Sequence, residues 1–258
     1  MTESGTVYSI ILAFLFAVAA GLVGSFALMK RMILAADVIS HVALPGLGMA
    51  FLWHFNPLLG GGATLFLGTL LIWQLQKNES FSTEVAIGVV FAGSVAIGAA
   101  LTPKEDLVEA LFGKFGQISG FTFLLGLLAV ALIAYFLFRC KSALILNLFS
   151  PELAAASGIK VNRLDLWFLL SFSLTVLIGL RFMGALLAGA LIIIPAATGR
   201  RLAGSIGMFL LASSLASVLA VGIGFLVNTY VFRSVSIAPM IVMVSALLFC
   251  LSLIRSRR

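Results

Sequence analysis

The chain has 258 residues, 62% of them hydrophobic and only 10% charged, with a formal net charge of +7; mean hydropathy is +1.22. A soluble domain of this length would carry about a quarter charged residues, so a soluble enzyme or binding module is excluded. The basic residues stand singly or in pairs between apolar runs, which excludes a nucleic-acid surface and fits membrane orientation. Long apolar runs read as helices, because a membrane barrel would show short alternating strands. The expectation is one all-α, polytopic transmembrane bundle of about eight or nine spans occupying residues 1–258.

The first run, 7–28, is preceded by a single charge, Glu3, and followed by Lys30 and Arg31. That order fits a retained helix rather than a cleaved leader. The second run, 34–54, carries Asp37 and His41, four apart and so on one helix face. From a start near Ile33 they lie about 6 and 12 Å along the helix. An acid and an imidazole at that depth are costly in lipid and need a partner or a wet path. Together they suit Zn²⁺, Mn²⁺ or Fe²⁺ rather than Cu(I), which prefers sulfur; a pair that satisfies itself is the structural reading. Two ligands are half a site, and a symmetric dimer would supply four. Pro45, Gly46 and Gly48 weaken the ladder of the same helix, so a kink lining a pathway or a plain packing kink is expected there. His54 follows Trp53 at the outer end, an interfacial placement.

Runs at 58–75 and 84–102 come next, the latter with Gly88 and Ala92 at helix-packing spacing. A charged stretch from Lys104 to Lys114 precedes the run 121–138. The segment Ser150–Gly158 then reads as a short helix: Ser150 caps, Pro151 fits the first position, Glu152 suits the dipole, Leu153 propagates and Gly158 terminates. It is either a connector or a docking helix for a soluble partner. Runs at 165–180 and 182–199 are separated by a very short turn near Arg181, and Pro195 marks a second kink. The last runs are 203–227 and 237–254. With the first helix running outside to inside, twelve of the sixteen lysines and arginines face the cytoplasm, so the N-terminus is expected outside and the C-terminus inside. Cys140 and Cys250 lack metal-type spacing and read as small hydrophobes. No phosphate-binding loop G-x-x-x-x-G-K-[ST], G-x-S-x-G or H-E-x-x-H occurs, so no enzymatic function is expected of this chain and it binds no cofactor of its own.

Several stretches together resemble the zinc/manganese/iron ABC permeases: Lys30-Arg31-Met32, Asp37-Val38-Ile39-Ser40-His41, Leu44-Pro45-Gly46, Leu111-Phe112-Gly113, Glu152-Leu153-Ala154 with Gly158, and Gly184–Leu187 through Ile194-Pro195-Ala196-Ala197-Thr198. The resemblance implies a permease subunit of an ATP-driven importer in the inner (plasma) membrane. It implies a second permease copy or paralogue, cytoplasmic ATP-binding subunits that hydrolyse ATP, an extracytoplasmic metal-binding protein, and membrane lipid as surroundings. It assigns transit of the metal to Asp37 and His41, and coupling to the Ser150–Gly158 helix. A proton-coupled secondary transporter using Asp37 and His41 as a relay, and a non-transporting scaffold, are the alternatives from other classes.

Overall fold

The structure, a computed structural model, describes residues 3–32, 35–77, 82–102, 118–230 and 236–255. The Leu111-Phe112-Gly113 motif and the Lys104–Lys114 stretch lie outside the described residues. Among those residues the chain is all-helical: α1 (Glu3–Met29), α2 (Ala35–His41), α3 (Leu44–Leu52), α4 (Pro57–Gln76), α5 (Thr83–Leu101), α6 (Gly120–Phe149), α7 (Pro151–Ala156), α8 (Val161–Leu202), α9 (Ile206–Tyr230) and α10 (Ile237–Arg255). Seven segments are long and apolar enough to cross a membrane: α1, α4, α5, α6, the first part of α8, α9 and α10.

α1 and α8 form the centre. α8 packs against α1, α2, α4, α6, α9 and α10, and the apolar window of α1 is 72% buried. Close approach explains why α1 is rich in small residues. A Cβ on Gly21 would meet the Ser214 Cα of α9 at 2.6 Å, and one on Gly24 would meet the Ile192 carbonyl oxygen of α8 at 2.2 Å. Without a hydrophobic drive between helices in lipid, such contacts and interhelical hydrogen bonds hold the bundle. One of the latter joins the hydroxyls of Thr69 on α4 and Ser173 on α8. Trp73 Nε1 on α4 likewise donates to the Asn162 carbonyl at 2.8 Å. Several buried hydroxyls turn back on their own helix, as Ser25 does to the Gly21 carbonyl at 2.8 Å, which satisfies them without water.

α8 is a hairpin of two limbs. Gly184 has φ 70 and ψ −180, a region open essentially to glycine alone. A Cβ on Gly179 would lie 3.1 Å from the Ala188 Cβ, whereas one straight helix would separate those residues by about 13 Å along its axis. The chain therefore reverses, and the expected short turn between the runs 165–180 and 182–199 falls at Gly184, three residues past Arg181. Pro195 lies inside the second limb, and the departure from helical backbone within α8 is at Gly184. The expected second run, 34–54, is likewise two helices, α2 and α3, joined through Val42 and Ala43 by short-range bonds from Val42 N to Ile39 O (3.0 Å) and from Ala43 N to Ser40 O (3.4 Å). Pro45 sits in the first turn of α3, where its missing N–H is tolerated. That missing N–H also withholds the ladder donor from the His41 carbonyl, so the break lies just before the proline and not at it.

Gly46 serves a different purpose from the kink expected of it. A Cβ there would sit 1.9 Å from the Gly60 carbonyl oxygen, and one on Gly60 would sit 2.2 Å from that of Gly46. The two glycines let α3 and α4 touch backbone to backbone. α6 continues to Phe149, well past the apolar run 121–138. Arg139 and Lys141 end that run's hydrophobicity without interrupting the backbone ladder.

Candidate metal site

Asp37 and His41 occupy the first and last turns of α2, one helical turn apart. The negative side chain in the first turn is favoured by the helix dipole. His41 Nε2 lies 4.0 Å from Asp37 Oδ1. This is too long for a hydrogen bond, so the two do not satisfy one another. Two donors each about 2.1 Å from a shared cation are at most about 4.2 Å apart, so both atoms can reach one ion with little movement. The Asp37 side chain is 52% exposed and that of His41 13%. The imidazole packs edge-on against Phe91 of α5, centroids 5.6 Å apart, and its buried Nδ1 has no hydrogen-bond partner. Among the described residues no cluster of three or more His, Cys, Asp or Glu forms. Asp37 and His41 are thus a pair of potential donor groups, the carboxylate at the surface and the imidazole largely buried.

α5 packs against α2 and α3 and exposes one stripe of small residues, Gly88, Ala92 and Ala96, beside exposed Val85, Val89 and Ile97; a Cβ added at Gly88 would meet nothing. α6, by contrast, exposes Phe121, Leu128, Leu132 and Phe138. Large side chains outward suit acyl chains, whereas small ones outward suit another helix.

The coupling candidates form one short unit. Ser150 Oγ accepts from Leu153 N at 3.2 Å, and Pro151 opens α7 with Glu152 in its first turn. Leu153 is 55% exposed while Ala154 is fully buried. Gly158 has φ 81; its N–H reaches the Ala155 carbonyl at 3.0 Å, and that of Ile159 reaches Ala154 at 3.0 Å, the paired bonds of a Schellman stop. Pro45 and Gly46 stand one turn beyond His41 in α3, whereas Pro195 stands in the second limb of α8, on a different element from the Asp37/His41 pair. His54 has φ 53 and closes the end of α3 beside exposed Trp53.

Sequence reasoning missed a polar cluster where α1, α6 and α8 meet. The Lys30 ammonium pairs with the Asp165 carboxylate, which also accepts from Asn147 Nδ2 at 3.0 Å. Asp165 was visible only as an acid at the edge of an apolar run, and nothing local points to Lys30.

Helices long and apolar enough to span lipid, around a broken helix bearing an acid–imidazole pair, define a polytopic membrane protein. The ABC 3 transport family model matches residues 5–256. The manganese import system permease protein ScaB of Streptococcus gordonii is 32% identical over 95% of this chain and 88% of its own length. The high-affinity zinc uptake system membrane protein ZnuB of Haemophilus influenzae is 29% identical, covering 91% of each chain. A solved structure of PsaBC from Streptococcus pneumoniae in complex with Fab superposes with a TM-score of 0.80 at 25% identity, covering 95% of this chain and 89% of that one. The chain belongs to the ABC 3 transport family.

Proposed function

We propose that the chain is the permease subunit of an ATP-driven importer that carries a divalent transition metal, manganese or zinc, across the inner (plasma) membrane, with Asp37 and His41 as its transit ligands. ATP hydrolysis belongs to a separate subunit. The observation that carries the reading is the half-complete Asp37/His41 pair, on a broken helix at the surface of a family permease. A proton relay would favour a hydrogen-bonded pair, and a scaffold would have no use for an orphaned imidazole nitrogen. The small-residue face of α5 beside the pair supports packing against a second permease, which would bring two half-sites together. Cytoplasmic ATP-binding subunits would dock on α7 (Ser150–Gly158), and an extracytoplasmic metal-binding protein would deliver the ion to the opposite end. The test is uptake of Mn²⁺ or Zn²⁺ by the complex reconstituted with its ATP-binding subunits: ATP-dependent accumulation is expected, and proton-driven accumulation without ATP would overturn the reading.

The seven long segments, the α2–α3 pair and the second limb of α8 together suggest nine crossings within a single domain. The α2–α3 pair covers about 27 Å at 1.5 Å per residue, close to the hydrocarbon thickness. The excess of lysine and arginine at the α7 end supports an outside N-terminus. In a background lacking Cys140 and Cys250, a cysteine at His54 should react with an impermeant maleimide from outside. One at Lys160 should react only after permeabilisation, and external labelling at Lys160 would invert the orientation.

A further inference from the structure

Coupling, on the function proposed above, needs a mechanical route from α7 to α2. Between the two lies an open cleft of about 680 Å³, walled by Pro151 on the α7 side, by Ala35 and Val38 on the α2 side, and also by Lys30, Asn147 and Asp165. Packed atoms transmit displacement because they touch; open space does not, so the load passes through the groups that wall the cleft. α7 rests instead on α6 and α8, the two helices it joins, and the polar cluster sits where those helices approach α1. Asn147 is in the last turn of α6, Asp165 in the second turn of α8, and Lys30 directly follows α1. Both Lys30 Nζ and Asn147 Nδ2 donate to the same carboxylate oxygen.

The cluster is partly buried and joined by more than one contact. Lys30 and Asp165 side chains are only 13% and 31% exposed, and Lys30 Nζ also lies 5.0 Å from the Phe168 ring centroid. Arg31 follows with φ 58, a conformation that a non-glycine residue keeps only where its surroundings hold it. Lys30 and Asp37 are seven positions apart in the chain. A shift of α7 would move the ends of α6 and α8, hence the carboxylate and Lys30, and the bond from the Ala35 N–H to the Met32 carbonyl at 3.0 Å ties the start of α2 to the residues just after Lys30.

We propose that the Lys30–Asp165–Asn147 cluster is a strut that carries displacement of the docking helix α7 to the metal-bearing helix α2, making these three positioning residues for transport. In the complex reconstituted with its ATP-binding subunits, Asp165→Asn keeps the shape of the side chain and removes its charge. ATP hydrolysis without metal should persist, while hydrolysis stimulated by Mn²⁺ or Zn²⁺ and uptake of the same ions should each fall about tenfold. Lys30→Met should behave alike. The exchange Lys30→Asp with Asp165→Lys should recover at least about half of the uptake, since it restores the pair with its sign reversed. Wild-type uptake in both single variants would overturn the strut, as would an exchange variant no better than the singles. Loss of assembly with the ATP-binding subunits in the single variants would also overturn it, by making the cluster a fold staple. A wild-type complex that carries neither ion fails the import reading instead, so the two failures are distinguishable.

Discussion

Replacing Asp37 or His41 with alanine should abolish uptake of manganese and zinc while the protein still reaches the membrane and assembles. Loss of a group that merely orients a metal ligand costs about 10–100-fold in affinity, and loss of a ligand itself costs more. Assembly should survive because neither removal strands a buried partner: Asp37 is half exposed, and the two side chains are 4.0 Å apart and not hydrogen-bonded. His41→Ala does open a small hole beside Phe91, so His41→Gln, which fills it, belongs in the same comparison and should also fail to transport. Growth under metal limitation supported equally by all three variants and the wild type would remove the pair from the pathway.

The second large effect is expected at α7. Proline at Ala155 removes a backbone donor and crowds the preceding turn, at about 3 kcal/mol. A helix of six residues has too few ladder bonds to absorb that loss. Ala155 is exposed, so the substitution breaks the helix without disturbing a core. Uptake should be lost, and either the ATP-binding subunit should dissociate or its hydrolysis should run on regardless of metal. Metal binding at Asp37 and His41 should survive, because those residues lie on another helix. Uptake and subunit co-purification both at wild-type levels would reduce Ser150–Gly158 to a connector.

The parts of this fold that were legible in the sequence are those written locally. The caps of α7 could be read from Ser150, Pro151 and Gly158 because a cap is a bond between near neighbours. The hairpin of α8 could be read to within three residues, since a run too long for one crossing with a single charge near its middle must turn somewhere. What escaped was fixed by distant parts of the chain. Gly46 looks like a kink residue until Gly60 is placed against it. Pro45 advertises a break, yet the break precedes it, because proline is welcome in the first turn of a helix and unwelcome four residues past a carbonyl that needs a donor. At the site, the four-residue spacing of Asp37 and His41 was plain, but the ring of Phe91 that pins the imidazole was not. The Lys30–Asp165 pair spans 135 positions and leaves no periodic trace.

The reversal at Gly184 bears on how much of the molecule is free to move. Gly184 and its neighbour Met183 are buried, so the chain turns back inside the protein, with no loop at the apex to lend slack. A backbone angle pair that only glycine tolerates fixes the two limbs as one clasp around α1, with Phe16 seated at Gly179 and the Ala196 Cβ 3.2 Å from where a Gly24 Cβ would lie. α2 leans on that clasp and is bounded by the Arg31 turn on one side and the Val42–Ala43 joint on the other. Its seven residues form a short segment between two breaks, and they carry both Asp37 and His41. On the function proposed above, a small angular displacement passed to this segment from the ends of α6 and α8 would re-aim Asp37 and His41 while the α8 clasp around α1 keeps its form.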